Sequence, residues 1–475
     1  MDRYHELLRK HWGHAAFRPL QEEIIRSVCD GHDTLGLMPT GGGKSITFQV
    51  SALAMEGLCL VITPLIALMK DQVDRLRKVG LTATLLHASV RRKEQCKRLE
   101  RCVAGKEKFL YVSPERLRSP LFRAYLAQMR LCLIVVDEAH CISQWGYDFR
   151  PAYLRIAEIR PEFPQTPILA LTATATPQVA DDIQSKLCFR QKRLLQQSFA
   201  RPNLAYRVSH AEDKRKETIR LLRQNPGSAI IYTRSRLRAE HFAERLQREG
   251  FTADYFHAGL PWFDKEERQE RWSRGDCPIM VATNAFGMGI DKADVRLVIH
   301  LDAPTSLEEY FQEAGRAGRD GLPAQAVVFF SEQDEARMEV HLANRYPEGT
   351  KLTKAEQARK KQLTEQVAQT LRFMNAHRGC RSQRLLAYFG EQLPHPCGQC
   401  DLCTKETEQL TDAEFEQIRQ ALDAQLNTTP QPVYPLVDRL PFEPAKCLTV
   451  VRYLLNEEPH YQLREGWLLL KEETY

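Results

Sequence analysis

The chain carries a carboxylate pair, Asp137-Glu138, at the end of the apolar run Leu131-Cys132-Leu133-Ile134-Val135-Val136. Two carboxylates at the mouth of a buried strand suit Mg²⁺ binding and activation of water. A second motif, Thr40-Gly41-Gly42-Gly43-Lys44-Ser45, joins another apolar stretch to a helical one. Glycines let the backbone approach a phosphate, and the helix N-terminus adds a row of N–H donors. Lys44 would reach the outer phosphates of ATP and Ser45 would ligate Mg²⁺. Asp137 is the second metal anchor, and Glu138 polarises the attacking water. The strict phosphate-loop pattern wants Gly where Met38 stands. An ordinary glycine turn and a helix-capping acidic pair are the rival readings, and each loses force because the two motifs occur together.

Three further clusters carry chemistry. In Gly315-Arg316-Ala317-Gly318-Arg319, read as helical, the arginines lie three apart on one face. An arginine delivered to a terminal phosphate is worth about 10³–10⁵ in rate. From Gln144 to Arg150, Trp145, Tyr147 and Phe149 alternate beside a cation. In an extended segment their rings would share one side, able to stack on unpaired bases at roughly 1–3 kcal/mol each. Cys397, Cys400 and Cys403 form C-x₂-C-x₂-C, with Cys380 ahead of them behind a helix over 382–389. Four thiolates suit Zn²⁺, and an Fe–S cluster is the runner-up.

Elements must exist to position these groups. Between residues 30 and 200, strands are expected at Thr34–Met38, Leu58–Thr63, Phe109–Val112, Leu131–Val136 and Ile168–Thr172, alternating with helices. A second alternating set has Ala229–Tyr232, Ile279–Thr283, Leu297–Leu301 and Ala326–Phe330. Both argue for parallel sheets covered by helices. Phe199-Ala200-Arg201-Pro202-Asn203-Leu204 reads as the linker, so two α/β domains should leave a cleft whose closure gates hydrolysis. Past Ser331 the chain turns charged and helical. Residues 410–475 suggest helices near 411–425, 432–439 and 443–456, then a hairpin around Glu465-Gly466, the parts of a winged helix. The expected division is 1–200, 201–335, 336–405 and 406–475.

Composition sets outer bounds. With 475 residues, 43% hydrophobic and 27% charged, this is an ordinary globular composition. No apolar run approaches a membrane span, and the polar start Met1-Asp2-Arg3-Tyr4-His5-Glu6 is unlike a secretory signal. A net charge of +6 is compatible with a polyanion. The cysteines outside the cluster stand mostly alone, as buried thiols of a reducing cytosol do.

As a set, these motifs resemble superfamily 2 helicases, and specifically the RecQ family of DNA helicases, over roughly residues 10–405. Phe17-Arg18-Pro19-Leu20-Gln21 resembles motif 0, Leu171-Thr172-Ala173-Thr174-Ala175 motif III, and Val281-Ala282-Thr283-Asn284-Ala285-Phe286-Gly287-Met288-Gly289-Ile290-Asp291 motif V. The resemblance implies two tandem RecA-like domains, a helical zinc-binding module and a compact winged helix, without a further C-terminal helical domain. It makes Gln21 the adenine reader with Arg18 nearby, adds Gln312 to the nucleotide site, and makes 143–151 an aromatic-rich loop that senses single-stranded DNA. It implies DNA contacts at Thr63, Arg116, Gln144, Trp145, Phe149, Arg150, Arg201 and His257. It decides for Zn²⁺ through Arg378-Gly379-Cys380-Arg381-Ser382-Gln383-Arg384. The implied activity is 3′→5′ unwinding of duplex, forked or branched DNA in recombination and repair, by a monomer in the cytoplasm at the nucleoid, with a single-strand-binding protein as partner. A duplex translocase, a non-catalytic DNA-binding module and an RNA helicase are the alternatives. The aromatic loop, the intact ATPase set and the zinc module count against them in turn. Lys446, Arg452 and Arg464 could touch phosphates, though a solvated face explains each as well.

Overall fold

The computed structural model describes residues 2–39, 41–64, 66–87, 90–146, 148–287, 292–346, 352–376, 379–406, 410–426, 429–458, 460–464 and 466–470. Thr40, Tyr147, Met288–Asp291, Arg378 and Glu465, and the side chain of Arg452, lie outside the described residues. The chain divides into two compact units that meet in sequence between Phe199 and Ala200.

The first unit is built on β1 (Thr34–Leu37), β2 (Leu58–Ile62), β3 (Ala83–Leu86), β4 (Phe109–Val112), β5 (Leu131–Asp137), β6 (Ile168–Thr172) and β7 (Leu194–Gln196). All pairings are parallel, in the order β3-β4-β2-β5-β6-β1-β7. Every residue of β1–β6 is buried, which is why these strands are continuous apolar runs instead of alternating ones. The order decides where the chemistry sits. β6 lies between β1 and β5, with Leu37 opposite Thr172 and Asp137 opposite Leu171. The loop to Lys44, the Thr172 hydroxyl and the Asp137-Glu138 pair therefore emerge side by side at one edge of the sheet, the edge where parallel sheets bind ligands.

The second unit holds β8 (Leu204–Ser209), β9 (Ser228–Tyr232), β10 (Ala253–Phe256), β11 (Ile279–Ala282), β12 (Val295–His300) and β13 (Ala324–Phe329), again all parallel, in the order β10-β11-β9-β12-β13-β8. A helical region follows, with Lys354–Met374, Arg381–Tyr388 and Asp401–Glu406. The chain then forms helices Asp412–Leu426, Val433–Arg439 and Pro444–Glu457 against a small antiparallel sheet, β14 (Gln431–Pro432), β16 (Trp467–Leu470) and β15 (Tyr461–Arg464). Ile418, Leu422, Leu436, Val450, Leu454 and Leu468 make its core. Both parallel α/β sheets are as the sequence suggests; β3, β7, β8 and β10 go beyond it.

Two expectations need correction. Helix Leu307–Ala314 stops before the arginines, and Gly315–Asp320 is a run of turns in which Gly318 takes φ +62°. Arg316 and Arg319 are therefore turn residues, not neighbours on a helical face. Likewise Gln144–Gly146 is turn and bend, not extended strand, so Trp145 and Phe149 do not alternate along a ribbon.

Candidate active site

The phosphate-loop region is tied down from motif 0. Gln21 accepts from Arg18 N–H at 2.9 Å and donates to the carbonyls of Gly43 at 3.0 Å and Gly42 at 3.3 Å. Arg18 Nη1 donates to Gly41 O at 2.5 Å. Gly41 and Gly43 have φ of +85° and +76°, and a Cβ on Gly43 would lie 2.4 Å from Gln21 Nε2, so only glycine fits there. Helix Lys44–Ala54 starts at Lys44 with Ser45 second. Its first N–H groups and the positive end of its dipole face the loop.

Opposite, β5 ends at Asp137, which is buried. Burial first, and the neighbouring Glu138 second, push the Asp137 carboxyl above the usual carboxylate range; the nearby Lys44 ammonium works against them. Thr63 Oγ1 lies 3.4 Å from Asp137 Oδ2, and Glu138 N–H donates to Asp137 Oδ1 at 3.0 Å. Glu138 has a left-handed backbone, φ +49°, ψ +47°. For a residue other than glycine this conformation is strained, and strain of this kind concentrates at functional sites. Among the described residues Lys44 Nζ is buried without a hydrogen-bond partner, and Glu138 Oε2 is buried with only the His140 ring near it, at 3.4 Å. An unsatisfied ammonium and an under-satisfied carboxylate beside a glycine cradle are what a nucleoside triphosphate and its water would satisfy, so the residues present fit ATP with Mg²⁺.

A polar chain leads from Glu138 toward the aromatic segment. His140 Nδ1 is 3.4 Å from Glu138 Oε2 and 2.9 Å from Thr172 Oγ1. Burial lowers the His140 pKa, keeping the ring neutral. Cys141 Sγ lies 3.6 Å from His140 Nε2 and 3.8 Å from Asp148 Oδ2, and Asp148 pairs with Arg150 at 2.9 and 3.1 Å. Gly146 packs so close that an added Cβ would sit 2.7 Å from His140 O. Trp145 is 37% exposed; Phe149 is half-buried, with Lys186 Nζ 5.9 Å from its ring centre. Gln144 is exposed.

Other expected DNA contacts are otherwise engaged. Thr63 is fully buried, with its hydroxyl 3.4 Å from Asp137 Oδ2. His257 is buried, with Nε2 2.7 Å from Glu240. Arg201 donates to Gly315 O at 3.2 Å, Ala317 O at 2.8 Å and Gly318 O at 2.9 Å, which leaves its guanidinium committed to the protein. Arg116 is half-buried, with Nη2 on His87 O at 2.7 Å. In the second unit, Arg316 is buried with Nη1 on Gly287 O at 2.5 Å, Arg319 is half-buried, and Gln312 is buried. In the far hairpin Arg464 is exposed, and Lys446 pairs with Glu414 at 2.6 Å. Sequence reasoning does not find the clamp made by Arg201 and Asn203, because the carbonyls it binds lie more than a hundred residues on.

The four sulfurs of Cys380, Cys397, Cys400 and Cys403 lie within 4.8 Å of one another, all buried. Backbone N–H groups point at them: Cys397 N to Cys380 Sγ at 3.1 Å, Arg381 N to Cys400 Sγ at 3.3 Å, Cys400 N to Cys397 Sγ at 3.4 Å. Donors aimed at sulfur stabilise thiolates, so the cluster fits a closed four-sulfur zinc site.

Comparisons with known proteins agree with this geometry. Residues 18–183 match the DEAD/DEAH box helicase model, 213–321 the helicase conserved C-terminal domain, and 332–404 the RecQ zinc-binding domain. The chain is 40% identical over 412 residues to the ATP-dependent DNA helicase RecQ of Haemophilus influenzae, covering 86% of this chain and 65% of that protein. It is 41% identical over 407 residues to RecQ of Bacillus subtilis, covering 85% and 67%. With the probable ATP-dependent DNA helicase RecS of Bacillus subtilis it shares 33% over 457 residues, covering 85% and 92%. The chain thus spans about two thirds of the length of those RecQ proteins. Among solved structures, Mycobacterium smegmatis helicase Lhr matches with TM-score 0.55 and 17% identity, over 97% of this chain and 59% of that one. Saccharomyces cerevisiae Dbp5 matches with TM-score 0.56 and 16% identity, over 75% and 97%. These two support the fold, two parallel-sheet RecA-like domains. The sequence matches go further: the chain belongs to the RecQ family of ATP-dependent DNA helicases.

Proposed function

We propose that the protein is an ATP-dependent helicase that moves 3′→5′ along single-stranded DNA and unwinds duplex, forked or branched DNA in recombination and repair. The observation that carries this reading is the polar chain from Glu138 through His140 and Cys141 to Asp148 and Arg150, in the segment that bears the exposed Trp145. Glu138 takes a proton from the attacking water, whose oxygen bonds to the γ-phosphorus as the bridging bond to ADP breaks. Lys44 holds the outer phosphates. Mg²⁺, held by Ser45 and by Asp137 through water, would neutralise charge on the β- and γ-oxygens. Arg319 and Arg316 supply further positive charge to the transferred phosphate, the role the family resemblance gives them. Gln21, Arg18, Thr40, Gly41–Gly43 and Gln312 complete the nucleotide site. Trp145 stacks on an unpaired base, with Gln144, Phe149, Arg150 and Arg116 beside the strand.

Zinc on the four cysteines has a structural role, and the three helices with their small sheet act as a winged helix on the duplex. Action as a monomer at the nucleoid, alongside a single-strand-binding protein, completes the reading. Strand displacement tests it with 3′-tailed, 5′-tailed, blunt and forked duplexes. Unwinding of 3′-tailed and forked substrates, lost in Lys44→Ala, is expected. Equal unwinding of 5′-tailed DNA would overturn the polarity. ATPase stimulated equally by blunt duplex and single strands, or unaffected by Trp145→Ala, would point to a duplex translocase.

A further inference from the structure

The turn that carries Arg316 and Arg319 is held directly by Arg201 and Asn203, and the cysteine module braces both that clamp and the helix before the turn. On its C-terminal side, the Arg201 guanidinium binds the carbonyls of Gly315, Ala317 and Gly318. The first of these is at the C-cap of helix Leu307–Ala314, where orphan carbonyls and the negative dipole end favour a cation. Asn203 Nδ2 adds bonds to Gly318 O at 2.7 Å and Leu322 O at 2.9 Å. The fit leaves no room, since a Cβ on Gly318 would lie 2.5 Å from Asn203 Nδ2. The clamp is in turn tied to the cysteine knuckle. Gln399, buried between Cys397 and Cys400, donates through Nε2 to Pro202 O at 3.0 Å.

On the N-terminal side, Glu308 accepts from Tyr388 OH at 2.7 Å and Gln366 Nε2 at 3.2 Å. Phe311 packs on Phe389 at 4.9 Å between ring centres and Tyr310 on Phe373 at 5.7 Å. Both partners of each pair lie in one unit, so the whole network belongs to a single body.

We infer that the cysteine module is a buttress for the arginine turn, and that Arg201, Asn203 and Gln399 are positioning residues that set where Arg316 and Arg319 stand. The module then acts on ATP turnover and leaves nucleotide affinity alone. This rests on the reading that those arginines supply charge to the transferred phosphate. A displacement of about 1 Å at a reacting group costs on the order of 10²-fold in rate. Arg201→Ala should therefore lower kcat about 100-fold. Gln399→Ala, which spares all four cysteines and Arg201, should lower it several-fold and speed amide exchange across 315–322. KM and Kd for ATP should stay within about twofold in both, because they report binding common to ground and transition states.

The experiment is a double-mutant cycle on the zinc-loaded full chain with Arg319→Ala, Arg201→Ala, Gln399→Ala and the pairs, reading DNA-stimulated kcat, KM, fluorescent-ATP Kd and melting temperature. If positioning is the role, either partner added to Arg319→Ala costs little more. Multiplicative losses, or a rise in Kd matching the fall in kcat, would overturn it. An Arg319→Ala enzyme with unchanged kcat would instead sink the arginine reading itself. Should Arg201→Ala fail to fold, the Gln399→Ala and Arg319→Ala pair decides alone. Arg201→Lys, which keeps the cation but loses the planar fork, should recover only part of the rate.

Discussion

Gly146→Ala probes how the aromatic segment speaks to the ATP site. Its Cβ would stand 2.7 Å from His140 O and 3.2 Å from Ser143 O, about 0.7 Å inside the 3.4 Å at which ordinary contact begins. Both neighbours are backbone, so no side chain can swing aside. One of them belongs to the residue that links Glu138 to Thr172. Forcing a methyl into such a place costs about 1–3 kcal/mol. That is roughly a 5- to 150-fold shift away from the seated loop, at 1.4 kcal/mol per tenfold. If seating is what conveys DNA occupancy, the ratio of DNA-stimulated to unstimulated ATPase should fall by the same factor. The assay is steady-state ATP hydrolysis with and without saturating oligothymidine, with a melt to show the protein folded. A ratio within twofold of the parent, in a folded variant, would refute the reasoning.

Cys400→Ser should give insoluble or unfolded protein without stoichiometric zinc, since structural zinc contributes about 10–16 kcal/mol of apparent binding free energy to folding; metal analysis and melting check this. Asp33 is fully buried and accepts from Arg160 Nη2 at 2.6 Å, Arg190 N at 2.8 Å and Ile168 N at 2.9 Å. Asp33→Ala strands a buried guanidinium and should cost roughly 3–5 kcal/mol in urea unfolding. Glu414 is drawn down to about 2 by the Lys446 ammonium first, and by Thr411 N–H and hydroxyl. A depressed carboxylate stabilises above its ordinary value near 4.3 and loses that contribution as pH falls toward 2. Glu414→Gln should therefore melt lower than the parent at pH 6, and the gap should close progressively below about pH 4.5.

What the sequence made legible follows distance along the chain. Runs such as Leu131–Asp137 are buried on both faces and so read as strands without any alternation. Lys44 and Asp137 come together because strand ends in a parallel sheet share an edge, which topology alone predicts. The strands that escaped notice are the sheet edges β3, β7, β8 and β10 and their short, partly polar sequences; β8, Leu-Ala-Tyr-Arg-Val-Ser, resembles a continuing linker. Gly-Arg-Ala-Gly-Arg has no proline to mark a turn, and helix propensity does not report that Gly318 takes a positive φ with Asn203 packed against it. Arg201 and the carbonyls it binds are over a hundred residues apart, as are Gln399 and Pro202, so no local pattern announces either contact.

The place where the chain enters its second unit has a mechanical consequence. β8 begins directly after the clamp and runs parallel to β13 in unbroken register, from Leu204 opposite Ala324 to Ser209 opposite Phe329. Ala324 N–H donates to Asn203 O at 2.9 Å, one residue before the strand proper. Tension along residues 199–203 would load this pair in shear, with the rungs sharing the force instead of opening one by one. The first rung to feel it adjoins Arg201. A molecule pulled at this link would therefore register force at the arginine turn before the sheet yields, and turnover measured under an optical trap would fall with load while the fold stayed intact.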